Sequence, residues 1–289
     1  MELVRIVKGI CIRRVRKMAK QFAPGRQRDE HDWLEYPRDK PLRASMYPEE
    51  LLEQIMTHPA KQNGYLHQDI CEFVSKPGET ILDPFGGVGT SLISATLGRN
   101  VILVEIEDYY ADIIQKCIDH LNSQRYLSKA AETWGNMTVI QADNRVALPI
   151  PCDHVITSPP YGNDLYKASE AAGLTDDIGK QGMQYTAATQ NIGKLPKFVY
   201  QQVMQQVYKK IVQSVRVGGT ITITHRDRIE AGERVLYIES IVGTLVKLGC
   251  GVKLLDKWKP PGSMAAAVNK KLEVEIVEDE DVIIMERLR

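Results

Sequence analysis

From residue 80 onward the chain alternates between two periodicities, and that alternation constrains its fold more than any other feature. Short apolar segments at 80–83, 101–105, 137–141, 154–157 and 220–225 read as strands. Helical stretches at 91–97, 109–121, 198–215 and 234–248 separate or follow them. In 109–121, Ile113, Ile114, Cys117 and Ile118 fall on one face, as a 3.6-residue period requires. Two final strands, at 252–258 and 282–287, are expected to be antiparallel neighbours. The pattern predicts an α/β fold: a mostly parallel seven-stranded sheet, helices on both faces, and an antiparallel last strand. Right-handed crossovers then bring the C-terminal ends of the parallel strands to one edge, where ligands bind.

Ahead of this core, Tyr47-Pro48 opens a helix. Glu49 and Glu50 sit at its positive end, and Leu51, Leu52, Ile55 and Met56 form its apolar face. A second helix at 67–74 is stopped by Lys76-Pro77-Gly78. Residues 1–28 predict a basic amphipathic helix ended by Ala23-Pro24-Gly25, and 29–45 an extended connector with Pro37 and Pro41. The organisation is therefore an N-terminal appendage over 1–45 and a main domain over 46–289. Within the latter, 162–196 has five glycines, Tyr166 and Tyr185, and no clear periodicity, which reads as a functional loop.

Charge sharpens this division. Lys plus Arg and Asp plus Glu are 37 each, so the net charge is zero, which offers no global argument for a polyanionic partner. Yet residues 1–28 hold nine basic residues and one acid, Glu2. Such a segment suits phosphate contacts with strong salt dependence. Five cysteines, Cys11, Cys71, Cys117, Cys152 and Cys250, form no CxxC pair, and the six histidines form no HxH or HxxxH pair. Neither a disulfide framework nor a metal site is expected, and isolated thiols fit a reducing cytoplasm. No apolar run is long enough to span a bilayer.

The turn Asp83-Pro84-Phe85-Gly86-Gly87-Val88-Gly89-Thr90 leaves the first core strand and enters a helix. Its glycines permit positive φ and close approach of a ligand. Asp83 at the strand end suits an ammonium group, not a phosphate, and the turn lacks both GxGxxG spacing and a GK[ST] ending. Glu105 ends the second strand, where a carboxylate can accept from both hydroxyls of a ribose. Asp143, after the third strand, is placed to reach an adenine amino group or its surroundings.

After the fourth strand comes Thr157-Ser158-Pro159-Pro160-Tyr161. Two prolines fix φ and donate nothing, so nearby carbonyls are rigidly aimed. Ser158 adds a hydroxyl and Tyr161 a ring. Together they describe a slot for a planar amine, such as a nucleobase taken out of its stack.

The pair DPFGGVGT and TSPPYG resembles the DNA amino-methyltransferases, which move a methyl group from S-adenosylmethionine to the exocyclic nitrogen of cytosine or adenine. The resemblance covers roughly 47–287 and implies a Rossmann-like methyltransferase fold with 46–289 as the catalytic domain. It implies cofactor contacts from Asp83, Pro84, Phe85, Gly86, Gly87, Gly89, Thr90, Glu105, Ile106, Asp143 and Asn144. Ser158, Pro159, Pro160 and Tyr161 are implied as the catalytic turn. For the substrate, Tyr161, Lys194, His225 and Arg226 are expected to make contacts. Ser ahead of PPY leans toward cytosine N4 over adenine N6. Pro151-Cys152 lies before the strand, which argues against a cysteine nucleophile and methylation at carbon 5.

Two features depart from the family's pattern. The cofactor motif precedes TSPPY, and no separate target-recognition domain is evident. DNA is the expected partner, with RNA the alternative. A catalytically silent subunit and methylation of a protein glutamine are the other readings.

Overall fold

The computed structural model describes residues 6–7, 10–11, 21–58, 61–125, 127, 129–160, 191–230, 233–261 and 277–289. The expected loop at 162–196 therefore lies mostly outside the described residues.

The N-terminal region departs from expectation. Strands β1 (Ile6–Val7) and β2 (Ile10–Cys11) pair antiparallel, Ile6 opposite Cys11 and Val7 opposite Ile10, where a helix was expected. Three of those four residues are β-branched, and Gly9 between the pairs is a poor helix residue. Residues 21–28 are not helical either. Phe22 is buried edge-on against Phe73, with ring centroids 5.3 Å apart. Arg26 forks onto Asp69 at 2.7 and 3.2 Å, and Arg28 onto Asp256 at 2.7 and 3.0 Å. The connector is not simply extended: it holds β3 (Leu34–Glu35) and α1 (Lys40–Ala44).

The helix after Pro48 is α2 (Glu49–Thr57), with Pro48 as its N-cap. Next, α3 (Gly64–Val74) starts three residues before its expected position. The cause is Asn63, whose side chain accepts from Tyr65 N at 2.9 Å and Leu66 N at 3.2 Å.

The core follows the predicted alternation. It runs β4 (Thr80–Asp83), a 3₁₀ turn at Thr90–Leu92, α4 (Ile93–Thr96), β5 (Asn100–Glu105), α5 (Asp108–Arg125) and β6 (Met137–Gln141). A short helix the pattern did not reveal, α6 (Asn144–Ala147), is capped by Asp143. Then come β7 (Cys152–Thr157), α7 (Lys197–Ser214) and β8 (Val215–His225). Where a helix was expected from 234, a hairpin intervenes: β9 (Arg228–Glu230) and β10 (Glu233–Val235), followed by α8 (Tyr237–Lys247). The chain ends on β11 (Cys250–Lys259) and β12 (Glu280–Arg287).

The main sheet has eight strands among the described residues, in the order β3-β11-β12-β8-β7-β4-β5-β6. The expected seven are all present, and β3 adds a parallel edge strand beside β11. Only β12 runs antiparallel to its neighbours, β8 and β11. This is the Rossmann-like methyltransferase arrangement, with the ends of β4, β5, β7 and β8 on one edge. Helices cover both faces, and the buried row Ile113, Ile114, Cys117 and Ile118 of α5 packs as its spacing requires. No helix among the described residues is long and apolar enough to cross a membrane.

Candidate active site

A cleft opens at that edge, with about 630 Å³ of space continuous with solvent. Pro84, Phe85 and Gly87 come from the turn after β4, Glu105 and Ile106 from the end of β5, and Asp143 and Asn144 from α6 and its cap. Ser158 and Pro160 come from the turn after β7. One cleft thus joins the Gly-rich turn to the Ser-Pro-Pro turn. Val104, Ala142, His58, Asn191 and Ile192 complete its lining.

Asp83 sits behind the wall and ties the two turns together. Its Oδ1 accepts from Thr157 Oγ1 at 2.7 Å and Phe85 N at 3.1 Å, and its Oδ2 accepts from Ser91 Oγ at 2.6 Å. Burial pushes its pKa up to about 6, against the lowering effect of those hydrogen bonds. All three donors are neutral, so an ammonium group beside it would restore the charged form.

Glu105 is buried in the cleft wall. Its Oε2 accepts from Gly87 N at 2.6 Å and its Oε1 from Glu107 N at 2.9 Å. Burial raises its pKa to about 7, and backbone donors from Glu107, Gly87 and Ile106 only partly offset this. Gly87 has φ +52°, and a Cβ there would lie 3.8 Å from His58 Cε1. His58 is itself buried, edge-on to Tyr110 at 4.9 Å. Desolvation lowers its pKa to about 3, so the imidazole is neutral.

Asn144 donates Nδ2 to the Pro84 carbonyl at 2.9 Å, while its Oδ1 is buried without a hydrogen-bond partner. A buried acceptor left open in a ligand cleft fits an amino donor. Among the described residues, no Lys or Arg lines the cleft. Its acceptors are Glu105, Asn144 and Ser158, and its apolar walls are Phe85, Val104, Ile106 and Ile192. That acceptor set fits a cationic, hydroxyl-bearing nucleoside and disfavours a phosphate. The residues therefore fit S-adenosylmethionine.

Several expected positions have other roles. Gly86 faces the protein interior: a Cβ would lie 3.1 Å from Ile114 Cδ1 and 3.3 Å from Leu103 Cβ. Gly89, at φ +78°, packs on Leu92 and Ile114, and its carbonyl accepts from Tyr47 OH at 2.9 Å. Thr90 is buried against Arg43, whose guanidinium donates to its hydroxyl at 3.1 Å. Asp143 lines the cleft, but both its oxygens bind Arg145, at 2.9 Å or less. Burial acts to raise its pKa, but the Arg145 hydrogen bonds outweigh this and hold it below the usual range.

The Ser-Pro-Pro turn is more firmly held than its sequence suggests. The Pro160 carbonyl is not open, because Tyr200 OH donates to it at 2.6 Å. Tyr161 lies outside the described residues. Lys194 belongs to the short helical turn Ile192–Lys194 that abuts the cleft. His225 and Arg226 do not reach the lining. His225 is buried beside Tyr237 with its Nδ1 2.9 Å from the Arg226 carbonyl, and desolvation takes its pKa down to about 4.

Comparison with known proteins places the chain among methyltransferases. The family model described as DNA methylase matches residues 19–116, in line with the resemblance read from the motifs. The model described as RMKL-like, methyltransferase domain, matches residues 74–223, just over half of the 289 residues. No curated protein matches the sequence. Among solved structures, the cyclopropane synthase MmaA2 from Mycobacterium tuberculosis aligns with TM-score 0.51 and 10% identity, over 76% of this chain and 82% of that one. TrmN from Thermus thermophilus aligns with TM-score 0.44 and 14% identity over 81% of this chain, which spans 52% of TrmN. SMU.1697c from Streptococcus mutans, solved in complex with SAH, aligns with TM-score 0.45 and 12% identity, over 79% and 99% of the two chains.

Proposed function

The chain belongs to the RMKL-like methyltransferase-domain family, and from that premise, together with the DNA-methylase match to residues 19–116 and the TSPPY turn, we propose that it methylates the exocyclic amino group of a base in DNA, cytosine N4 ahead of adenine N6. It is a methyltransferase, and S-adenosylmethionine is its cofactor. The observation that carries the finer reading is the shared cleft, in which Ser158 and Pro160 line the same space as Glu105 and Asn144.

When bound, S-adenosylmethionine supplies an electrophilic methyl group. The chain's own residues supply orientation and electrostatics. Glu105 and Asn144 offer acceptors to hydroxyl and amino donors, and Asp83 holds negative charge close behind the Gly-rich turn. Ser158 Oγ and the Pro159 carbonyl accept from the hydrogens of the target amine. Hydrogen bonds in that direction favour a pyramidal nitrogen whose lone pair is no longer spread into the ring. The nitrogen gains the methyl group and gives up a proton. No cysteine takes part: Cys152 is buried at the opposite end of β7, and burial pushes its thiol up to about 12.

A base in RNA is the second reading, favoured by the RMKL-like match. A labelled methyl-transfer assay on duplex DNA, single-stranded DNA and RNA separates them. Incorporation into DNA is expected, and incorporation into RNA alone would transfer the proposal to the second reading.

A further inference from the structure

The segment that closes the cleft also joins its two halves. At the cofactor end, Gly87 N and Glu107 N both donate to Glu105. Glu107 is buried, and its Oε1 accepts from Asn191 Nδ2 at 2.7 Å. Asn191 Oδ1 in turn accepts from Gly193 N at 2.9 Å. At the base end, Gly193 lies against the catalytic turn, where a Cβ would be 3.3 Å from Pro160 Cβ. Seven residues further on, Tyr200, 5% exposed, donates its hydroxyl to the Pro160 carbonyl at 2.6 Å.

This arrangement answers a physical need. Consecutive prolines have no N–H, so beyond the Thr157 hydroxyl the Pro159-Pro160 stretch can be held only through its carbonyls and ring contacts. Tyr200 supplies the first hold and Gly193 the second. Both belong to a segment whose other end is fastened, through Asn191 and Glu107, to the carboxylate that faces the cofactor. A ligand hydroxyl donating to Glu105 redistributes the hydrogen bonds that Gly87 N and Glu107 N make to it. That change has a continuous path of buried and part-buried hydrogen bonds and packing to Pro160.

We infer that Asn191 and Tyr200 are positioning residues that couple occupancy of the Glu105 end to the geometry of the Ser158–Pro160 turn, so that the target base is accepted once S-adenosylmethionine is in place. The inference rests on the reading of this cleft as a base methyltransferase site. It predicts two behaviours that separate it from simple packing. Tyr200→Phe, which removes one oxygen and keeps the ring, lowers kcat by roughly tenfold and leaves cofactor affinity within about twofold. In addition, the environment of Tyr200 responds to cofactor, and that response depends on Asn191.

The test places 3-fluorotyrosine at position 200 and follows its fluorine resonance while S-adenosylhomocysteine is titrated. In the otherwise unaltered protein the resonance is expected to shift with saturation, and in Asn191→Ala to stay fixed at ligand concentrations raised until calorimetry shows that variant saturated. A resonance that ignores the ligand, or that shifts equally in Asn191→Ala, overturns the inference. So does a Tyr200→Phe protein with undiminished kcat. If the unaltered protein methylates no nucleic acid, the base-methyltransferase reading fails, while the fluorine titration still decides the coupling.

Discussion

Ser158 and Glu105 line one cleft but are tuned differently, and two experiments separate them. Ser158 is a neutral hydroxyl on the base side. Ser158→Ala is expected to lower turnover more than about tenfold, or roughly 1.4 kcal/mol of barrier, with cofactor affinity nearly intact. Steady-state rates beside calorimetric binding check this, and unchanged turnover removes Ser158 from the mechanism. Glu105, near 7, and Asp83, near 6, are raised mainly by burial. Ligand hydroxyl and ammonium groups stabilise their ionised forms, so binding lowers both pKa values and releases protons. Cofactor affinity is therefore expected to rise as pH increases from about 5.5 to 7.5 and then level off. Calorimetry in buffers of different ionisation enthalpy measures this, and a flat profile contradicts it. Glu105 was legible because it ends a strand, and Ser158 because it follows one inside a short motif. His58 and Tyr200 were not assigned roles, because they reach the site from distant segments with no local pattern, and Asn191 was legible only as part of the functional loop 162–196. Gly86, Gly89 and Thr90 share the motif with Gly87, and only their packing shows that they serve the core.

That distinction among neighbouring glycines belongs to the element. The β4–α4 joint needs Gly86 for close approach to β5 and α5, whereas Gly87 opens the ligand side. Gly86→Val is expected to destabilise the fold by about 1–3 kcal/mol, as overpacking does. Gly87→Val is expected to weaken cofactor binding, through its φ of +52° and its place in the cleft wall. Thermal denaturation and binding measurements on both variants check the division, and interchanged phenotypes contradict it. The core strands were readable because each is a short apolar run between turn residues. What escaped was small or non-local. Strand β3 is two residues long and depends on β11 for its partner. The β9–β10 hairpin replaced a predicted helical turn around Arg234, which instead reaches Asp227 at 3.0 Å. Arg26 and Arg28 looked like part of a free basic helix, yet Asp69 and Asp256, remote in sequence, hold them on the main domain.

For the whole molecule, opposing buried groups set the response to acid. His58 and His67, near 3, and His225, near 4, are lowered chiefly by burial and remain neutral in the fold. Each takes up a proton on unfolding, so its contribution is lost as pH falls from 6.5 toward its folded value. Asp83, Glu105 and Asp281, raised by burial to about 6, 7 and 6, act in the opposite sense between about pH 4 and 7. The two sets largely offset in that window. Below about pH 4 His58 and His67 act unopposed, and Asp153 and Asp279 add to the loss, since burial is outweighed by hydrogen bonds from Thr80 N and Arg216 to Asp153 and from Lys257 to Asp279, which lower their pKa values. Denaturant titrations are expected to show stability nearly flat from pH 7 to 5 and falling steeply below 4. A steep loss already between 7 and 5 contradicts this balance.

The central claim is transfer of a methyl group to an exocyclic base nitrogen at the Ser158 turn. Incubation of DNA with the protein and isotopically labelled S-adenosylmethionine, digestion to nucleosides and mass spectrometry test it most directly, with Ser158→Ala alongside. The expected product is labelled N4-methylcytosine in DNA, at least tenfold lower with the variant. Label at carbon 5 of cytosine, or equal yields from both proteins, would contradict the account.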